Sequence, residues 1–405
     1  MGLSMKERNS VTKEVAERYK NASKNEKIKI LNEYIAITGF HRKYAINKIN
    51  SYIKKRNYSF NNKKMTSIKV IEPKKKKRVY TKEYDEPFQT SLIRIWSYFD
   101  YLCGQRLVPF IRENIEALTN EKSFKINETI KEKLLNVSSA TINRLINIAR
   151  NKNKLHGIST TKAGKSLNQL IPIRVFFDGD ERIPGFFEMD TVSHDGGNAS
   201  GEHIYSVTVT DISVGWTEIR PVLNKAQRWV KERIEEIKNE LPYKMLGLDS
   251  DNGSEFKNYQ LYQWAQENEI TFTRGRSYKK NDNCFVEQKN NSVVRRLLGY
   301  YRYEGEETLI LLEKLYKYWC LLINYFYPSV KILEKERKDT RVYKKYDMAK
   351  TPYKRCLESN KITNEEKEKL KKIKMSLNIV ELKENVEKAL NEVLTKAVIF
   401  HKILK

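Results

Sequence analysis

The sequence contains few cysteines, and they are widely separated. The four are Cys103, Cys284, Cys320 and Cys356. Because none forms a Cys-x-x-Cys pair, we expect no disulfide framework and a reducing, cytoplasmic environment. Residues 1–100 contain one histidine and no cysteine, which excludes a zinc finger with cysteine and histidine ligands at this end of the chain.

Long apolar runs and acidic side chains are also scarce. No stretch approaches the roughly 20 consecutive apolar residues that a membrane-spanning helix needs, so we predict no membrane partner. The chain has 77 Lys and Arg against 51 Asp and Glu, a net charge of 77 − 51 = +26. Residues 1–80 have 22 basic and 6 acidic side chains, a net of 22 − 6 = +16. Because clustered positive charge attracts polyanions through counterion release, the sequence predicts a nucleic acid partner.

Residues 1–60 show the apolar spacing of helices. Lys29–Thr38 has apolar residues at helical intervals, Gly39 interrupts the pattern, and a basic amphipathic pattern resumes at His41. Helix, glycine turn and basic helix together form the plan of a helix-turn-helix DNA-binding unit. An ordinary two-helix hairpin has the same pattern, but the local charge favours DNA binding.

Residues 61–84 are predicted to be a basic linker. They contain Pro73-Lys-Lys-Lys-Lys-Arg78, which is either a solvated segment or a segment that follows DNA phosphates. Residues 85–155 are helical in pattern, and Ser138 is placed to cap a helix that runs to about Arg150. This region is predicted to be a second helix-turn-helix DNA-binding domain.

The pattern changes to strands and helices in the second half of the chain. Three segments with strand-like alternation lie near Phe186, Tyr205 and Val214. Helix, strand, helix, strand and helix follow in that order. We therefore predict an α/β core with a mixed sheet over residues 170–327, followed by a helical C-terminal region over residues 328–405.

Three carboxylates lie where strands end or a helix begins. Asp190 ends the first strand, Asp251 is followed at once by a turn-forming Asn-Gly pair, and Glu287 lies at the start of a helix. Asp251 and Glu287 are 287 − 251 = 36 positions apart, which leaves room for one helix, one strand and a loop. Hard divalent cations prefer carboxylate oxygens, and two such ions about 3.5–4 Å apart can act on the attacking and leaving oxygens of a phosphodiester.

The segments around these carboxylates resemble a known signature. Pro184-Gly-Phe-Phe-Glu-Met-Asp-Thr-Val, Ser250-Asp-Asn-Gly-Ser-Glu-Phe and Asn281-Asp-Asn-Cys-Phe-Val-Glu-Gln-Lys are similar to the D, D-35-E motif of the retroviral integrase superfamily. Bacterial insertion-sequence transposases contain this motif. The resemblance extends over residues 184–304 and, with the helical regions before it, over most of residues 1–360.

The resemblance implies an RNase H-like fold with Asp190, Asp251 and Glu287 at one edge of the sheet. It implies that these residues hold Mg²⁺ or Mn²⁺, as two ions, and that the reaction uses no ATP. Water would hydrolyse the end of a mobile element, and the freed 3′-hydroxyl would attack target DNA. The implied partners are double-stranded DNA and further copies of the chain in a homo-multimer, in the nucleoid of a prokaryotic cytoplasm. Retroviral relatives have a zinc-binding N-terminal module whose ligands are absent here, so recognition of DNA ends must differ.

Basic and polar residues near these elements are candidates for DNA contacts. Glu287, Asn291 and Arg295 are spaced at i, i+4 and i+8 and would share one stripe of a helix. Three residues of the helix after Ser138 are expected to face outward. All the predicted DNA contacts are Arg42, Lys43, Lys75, Lys76, Arg78, Thr141, Asn143, Arg144, Lys280, Lys289, Asn291 and Arg295.

Other titratable residues are weaker candidates for the site. Asp249 lies two residues before Asp251, on the same strand face, and is its nearest rival. Glu188 and Asp211 are expected at strand positions, and Asp282 is expected in a loop. His194 and His203 flank the first two strands and are expected either in loops or in contact with DNA.

Three functions fit these features to different degrees. A DNA transposase that cleaves element ends and joins them to target DNA fits the carboxylates and the basic helical units together. A DNA-binding regulator without catalysis would not need three carboxylates at these spacings. A ribonuclease or resolvase on the same fold would not need two additional DNA-binding units.

Overall fold

The structure is a computed structural model and describes most of the chain. The described residues are 4–60, 63–70, 83–150, 183–224, 226–250, 259–274, 289–338 and 341–398. The chain divides into two compact units, Met1–Glu83 and Tyr84–Lys405. Among the described residues, no helix is both long enough and apolar enough to cross a membrane.

The first unit contains three helices and a β-hairpin. Its elements are α1 (Met5–Asn21), α2 (Lys24–Thr38), α3 (Arg42–Tyr52), β1 (Ile53–Phe60) and β2 (Lys63–Val70). Ser4 and Ser23 begin α1 and α2 with capping boxes, in which a serine and a glutamate three residues later bond each other's backbone N–H. Gly39 ends α2 at a φ of 69°, a left-handed conformation that glycine adopts without steric cost. The predicted helix, glycine turn and helix are thus confirmed as secondary structure.

The hairpin β1–β2 corrects two predictions about this unit. Helix was expected throughout residues 1–60 and a linker from residue 61, but Ile53–Phe60 and Lys63–Val70 pair as antiparallel strands. Ile53 lies opposite Val70, and Phe60 lies opposite Lys63. Both segments contain β-branched and aromatic residues separated by lysines, and their strand preference is expressed only when the two segments pair.

The second unit begins with four helices. They are α4 (Glu86–Tyr98), α5 (Gly104–Asn120), α6 (Glu128–Asn136) and α7 (Ser139–Arg150). The predicted cap at Ser138 is confirmed, because its Oγ accepts from the Thr141 N–H at 3.2 Å. These helices bury a set of aromatic side chains that belongs to the same hydrophobic core as the sheet, including Phe88, Phe99 and Phe110.

A mixed five-stranded sheet lies at the centre of the second unit. Its strands are β3 (Phe186–Ser193), β4 (Tyr205–Asp211), β5 (Thr217–Val222), β6 (Gly247–Ser250) and β7 (Thr271–Arg274). The order across the sheet is β5-β4-β3-β6-β7. The pairs β3–β4 and β4–β5 are antiparallel, whereas β3–β6 and β6–β7 are parallel. The prediction of a mixed sheet flanked by helices is confirmed.

Helices before and after the last strand flank this sheet. They are α8 (Gln227–Glu240), α9 (Tyr259–Glu267), a π-helical segment (Asn290–Arg295), α10 (Arg296–Leu298) and α11 (Gly305–Tyr325). Asn324 in α11 joins the helix to the edge strand β5: its Oδ1 accepts from the Thr217 N–H at 2.9 Å, and its Nδ2 donates to the Thr217 carbonyl at 2.8 Å. This pairing satisfies backbone groups that an edge strand would otherwise expose.

The C-terminal region contains a second hairpin and three helices. Its elements are β8 (Ile332–Lys338), β9 (Arg341–Tyr346), α12 (Pro352–Glu358), α13 (Asn364–Ser376) and α14 (Ile379–Leu394). The prediction of a helical region is wrong for Ile332–Lys338 and Arg341–Tyr346, where charged residues hide any apolar period. It is confirmed for α14, whose Val386, Ala389 and Val393 are fully buried in the core of this chain.

Candidate active site

Asp190 lies on the central strand of the sheet, within hydrogen-bonding distance of a helix. The prediction that it ends this strand is wrong, because β3 continues to pair with β4 as far as Ser193. Its Oδ2 accepts from Asn290 Nδ2 at 2.7 Å, and its Oδ1 accepts from the Thr191 N–H at 2.7 Å. The residue is partly exposed, unlike the three buried residues that precede it on β3. The carboxylate is therefore oriented by the protein and still accessible to a ligand.

The partner of Asp190 is Asn290, which the sequence analysis did not single out. In a regular helix, Asn291 would share a face with Glu287, because it lies four residues later. The structure instead has a π-helical segment at Asn290–Arg295, in which hydrogen bonds span five residues and the phase of the side chains shifts. Asn290 is buried and Asn291 is exposed. The Oδ1 of Asn290 is also buried and has no hydrogen-bond partner among the described residues. Such a π-helical segment leaves no mark in hydrophobic periodicity.

The pairing of β3 with β6 gives the setting of the second predicted ligand. Glu188 lies opposite Asp249, and Met189 lies opposite Ser250. Asp249 is 1% exposed, and its Oδ1 accepts from Thr273 Oγ1 at 2.5 Å. The rival carboxylate is therefore enclosed between strands and already hydrogen-bonded.

Several predicted residues lie outside the described residues. They are Asp251, Glu287, Lys75, Lys76, Arg78, Lys280 and Asp282. Within the described ranges, no group of three or more His, Cys, Asp or Glu side chains could hold a metal ion. Of the described residues, Asp190 nevertheless fits a hard cation, because its carboxylate supplies oxygen donors on a partly exposed residue.

Lys289 points into the protein rather than directly to solvent. Its Nζ donates to the Gly215 carbonyl at 3.1 Å. Burial and, to a smaller extent, the nearby cations Arg106, Arg355 and Lys331 together lower the pKa of Lys289 to about 7. Any contact of this predicted DNA-binding residue with DNA would therefore take place in an environment that is already positive.

The candidate DNA contacts on α7 differ from one another. Arg144 is exposed, and its Nη2 donates to Thr141 Oγ1 at 3.1 Å. The prediction that Asn143 faces outward is wrong: its Oδ1 accepts from the Gly104 N–H at 3.0 Å. A Cβ on Gly104 would lie 2.3 Å from the Ser139 carbonyl oxygen, so the start of α5 approaches α7 too closely for a side chain.

The remaining described candidates lie on exposed or partly exposed surfaces. Arg42 and Lys43 are exposed at the start of α3, and Arg42 Nη1 donates to Asn32 Oδ1 at 2.7 Å. Arg295 is partly exposed, and its guanidinium lies 4.9 Å from the centre of the Tyr300 ring. These positions are compatible with contacts to a polyanion.

Both histidines near the first two strands are buried. His194 Nε2 hydrogen-bonds Ser206 Oγ at 2.7 Å, and Ser206 Oγ hydrogen-bonds the Tyr316 hydroxyl at 2.5 Å. Burial lowers the pKa of His194 to about 3, so its ring is neutral in the folded protein. His203 Nε2 hydrogen-bonds Ser193 Oγ at 2.9 Å. Their burial disfavours a direct contact of either ring with DNA.

Asp211 is a structural carboxylate at the end of β4, as its expected strand position suggests. It accepts from the N–H groups of Gly185 and Val214 and from the Tyr243 hydroxyl. Burial raises its pKa to about 6. Because those three groups occupy Asp211, it is not a candidate for the reaction site.

The comparisons with known proteins place the chain in a family of sequences. No family model matches the chain. The uncharacterized protein y4rM of Sinorhizobium fredii is 33% identical over 350 residues, which are 85% of this chain and 93% of that protein. The chain belongs to the y4rM family.

One solved structure is similar to part of this member of the y4rM family. It is the catalytic core domain of BIV integrase in crystal form I. The two chains are 19% identical, the match covers 42% of this chain and 91% of the integrase chain, and the TM-score is 0.29. So weak a similarity supports no statement about the y4rM family. The strand order and strand directions of the chain itself define its fold.

Proposed function

We propose that the chain is a DNA transposase of the retroviral integrase superfamily with Asp190, Asp251 and Glu287 as its catalytic residues. The observation that supports this most directly is the register of β3 and β6. Ser250 lies opposite Met189, and the next residues on the two strands are Asp251 and Asp190. Since neighbouring strands are about 4.8 Å apart, the two carboxylates would be adjacent if the pairing continues by one residue.

Asn290 gives a second link between these elements. Its side chain contacts Asp190, and Glu287 precedes it by three residues. Because one helical turn advances about 5.4 Å, a helix that continued back from Asn290 would bring Glu287 close to Asp190. The sheet order agrees with this arrangement, since three antiparallel strands followed by two strands parallel to the first form an RNase H-like sheet.

The proposed reaction has two steps at phosphodiester bonds. Water first hydrolyses the bond at the end of the element and leaves a 3′-hydroxyl. That hydroxyl then attacks a phosphodiester of the target, so one P–O bond forms as another breaks, and no ATP is needed. A bound pair of Mg²⁺ or Mn²⁺ ions would supply the neutralisation of charge at the phosphate. Asp190 and Asp251 would hold the ions, with Glu287 completing the set.

Asp249 is a poorer ligand than Asp251. Its carboxylate is almost completely buried and accepts a hydrogen bond from Thr273, so a cation there would have little access to water or phosphate. Asp251 follows Ser250, the last described residue of β6, whose partner on β3 is the residue before Asp190.

The two helical regions would bind double-stranded DNA. In the first unit, the start of α3 presents Arg42 and Lys43, and the basic residues Lys75, Lys76 and Arg78 would add contacts. In the second unit, Arg144 is exposed and Thr141 is partly exposed on α7. We propose that both act as helix-turn-helix units, in a homo-multimer that holds two DNA ends in a prokaryotic cytoplasm.

The DNA that flanks the gene supplies the substrate for the decisive test. Inverted repeats bounded by a short direct duplication would define the element end, which is then made as a duplex. The protein should cleave this duplex with Mg²⁺ or Mn²⁺ and not in EDTA. Binding without cleavage would instead indicate a regulator, and cleavage restricted to RNA–DNA hybrids would indicate a ribonuclease.

A further inference from the structure

We propose that four basic residues of the second unit form a binding site for a backbone phosphate of DNA, distinct from the carboxylates. The residues are Arg106, Lys289, Lys331 and Arg355, and we call them the cation cluster. That the phosphate belongs to DNA rests on the proposed function. The site itself requires only that a phosphate group bind there.

Two of the four cations meet at the turn between β4 and β5. Lys289 Nζ donates to the Gly215 carbonyl at 3.1 Å. Lys331 Nζ donates to the Ile212 carbonyl at 2.8 Å and also to the Ser213 carbonyl. Two ammonium groups from distant parts of the sequence are thus held at one short turn.

The other two cations bind the segment that follows α11. Arg106 Nε donates to the Pro328 carbonyl at 2.5 Å, and Arg355 Nη2 donates to the Ser329 carbonyl at 2.8 Å. Lys331 lies two residues beyond Ser329 in the same segment, which connects this pair to the first. The turn and the segment are themselves close together, because a Cβ on Gly215 would lie 3.8 Å from Ser329 Oγ.

The acceptors of these cations are mostly neutral. A carbonyl satisfies an N–H donor without cancelling its charge, and repulsion between like charges is strong where water is partly excluded. Asp347 pairs with Arg355 at 2.6 Å, and Asp211 lies near Lys331. Asp100, which lies near Arg106, already accepts from Lys383 Nζ at 2.8 Å. Within the described part of the chain, the cluster therefore keeps a positive excess that an anion would relieve.

The cluster is accessible and lies beside the candidate active site. All four residues are partly exposed, so the cluster has a face at the protein surface, although Lys289 itself is directed inward to the Gly215 carbonyl. Lys289 and Asn290 are consecutive, with Cα atoms about 3.8 Å apart, and Asn290 contacts Asp190. A DNA strand whose reacting phosphate lies at Asp190 would have another phosphate within reach of the cluster. Arginine also suits this ligand, because its planar donors match phosphate oxygens.

The salt dependence of DNA binding tests the cluster without requiring cleavage. The full chain is titrated with a short DNA duplex of arbitrary sequence in EDTA, over a series of salt concentrations. Arg106→Gln and Lys331→Gln should each reduce the slope of log Kd against log salt by about 0.9, the amount expected for one lost phosphate contact. Arg106→Lys and Lys331→Arg should keep the wild-type slope. Lys372→Gln is the matched control, because it removes the same charge from an exposed position on α13.

Protection by inorganic phosphate gives a second readout that does not use DNA. Phosphate should raise the Tm of the wild type more than that of Lys331→Gln, because a ligand stabilises the folded state that binds it. Slopes for Arg106→Gln and Lys331→Gln equal to that of Lys372→Gln would overturn the proposal, as would equal protection of wild type and Lys331→Gln. Metal-dependent cleavage with unchanged slopes would refute the cluster alone, and reduced slopes without any cleavage would refute only the proposed reaction.

Discussion

Replacing Asn290 by alanine tests whether the π-helical segment sets the geometry of the site. The variant removes the 2.7 Å hydrogen bond from Asn290 Nδ2 to Asp190 Oδ2. A hydrogen bond to a charged group contributes about 1.5–3 kcal/mol. Since about 1.4 kcal/mol corresponds to a tenfold change in rate, we expect cleavage of the element end to slow by roughly 10- to 100-fold.

The neighbouring residue supplies the control for this experiment. Asn291 is exposed, and Asn291→Ala should change the single-turnover cleavage rate much less, although it can weaken DNA binding. Binding of the DNA end is measured for both variants, so that loss of affinity is separated from loss of rate. If Asn291→Ala slows cleavage more than Asn290→Ala does, the helix has the regular phase and our account of Asn290 is wrong.

Three further predictions concern the stability of the second unit. The free energy of unfolding should fall by about 1.4 kcal/mol per pH unit as the pH drops below about 6.5. The reason is that His194 has a pKa of about 3 in the folded protein, so the unfolded chain takes up a proton at a higher pH than the folded one. His194→Gln should flatten this slope in denaturant titrations at several pH values, and an unchanged slope would exclude His194 as its source. Arg302→Ala should lower the free energy of unfolding by about 3 kcal/mol or more, because this buried guanidinium donates to the carbonyls of Asn198, Ser200 and Glu202. A decrease of less than about 1 kcal/mol in urea titrations would contradict this prediction. Gly104→Ala should cost about 1–3 kcal/mol by overpacking, because its Cβ would meet a backbone carbonyl, and a Tm equal to that of the wild type would disprove the close approach.

The sheet was predictable because its strands show their pattern locally. Alternation in Tyr205–Asp211 and the short apolar segments around Phe186 and Leu248 indicate strands without reference to any partner. The sequence of helices and strands then restricts the topology to a mixed sheet. The cap at Ser138 was equally local, since it depends on one side chain and a backbone N–H three residues later.

The two hairpins were missed because their stability is not local. Ile53–Phe60 and Arg341–Tyr346 contain many charged residues, and neither has a clear period of two. Each becomes a strand by pairing with a segment a few residues away. Cross-strand pairing of this kind depends on neighbours, which single-segment patterns do not include.

Of the three predicted catalytic carboxylates, the structure describes Asp190, and the residue that contacts it was not predicted. Asp190 belongs to a recognisable motif, whereas the contact from Asn290, in a π-helical segment, has no signal in the sequence. The cation cluster joins Arg106 to Lys331 and Arg355 across more than half of the chain, and no sequence spacing indicates that contact. Long-range packing of this kind is visible only in three dimensions.

Cleavage by single-carboxylate variants tests whether Asp190, Asp251 and Glu287 are the catalytic residues. Wild type, Asp190→Asn, Asp251→Asn and Glu287→Gln are compared on the duplex of the element end, each with DNA binding measured alongside, and with Asp249→Asn as the rival position. We predict that the three variants bind the element end normally and lose both cleavage and strand transfer. Asp249→Asn, if it folds, should retain both activities. Full strand transfer by Asp251→Asn would contradict the account.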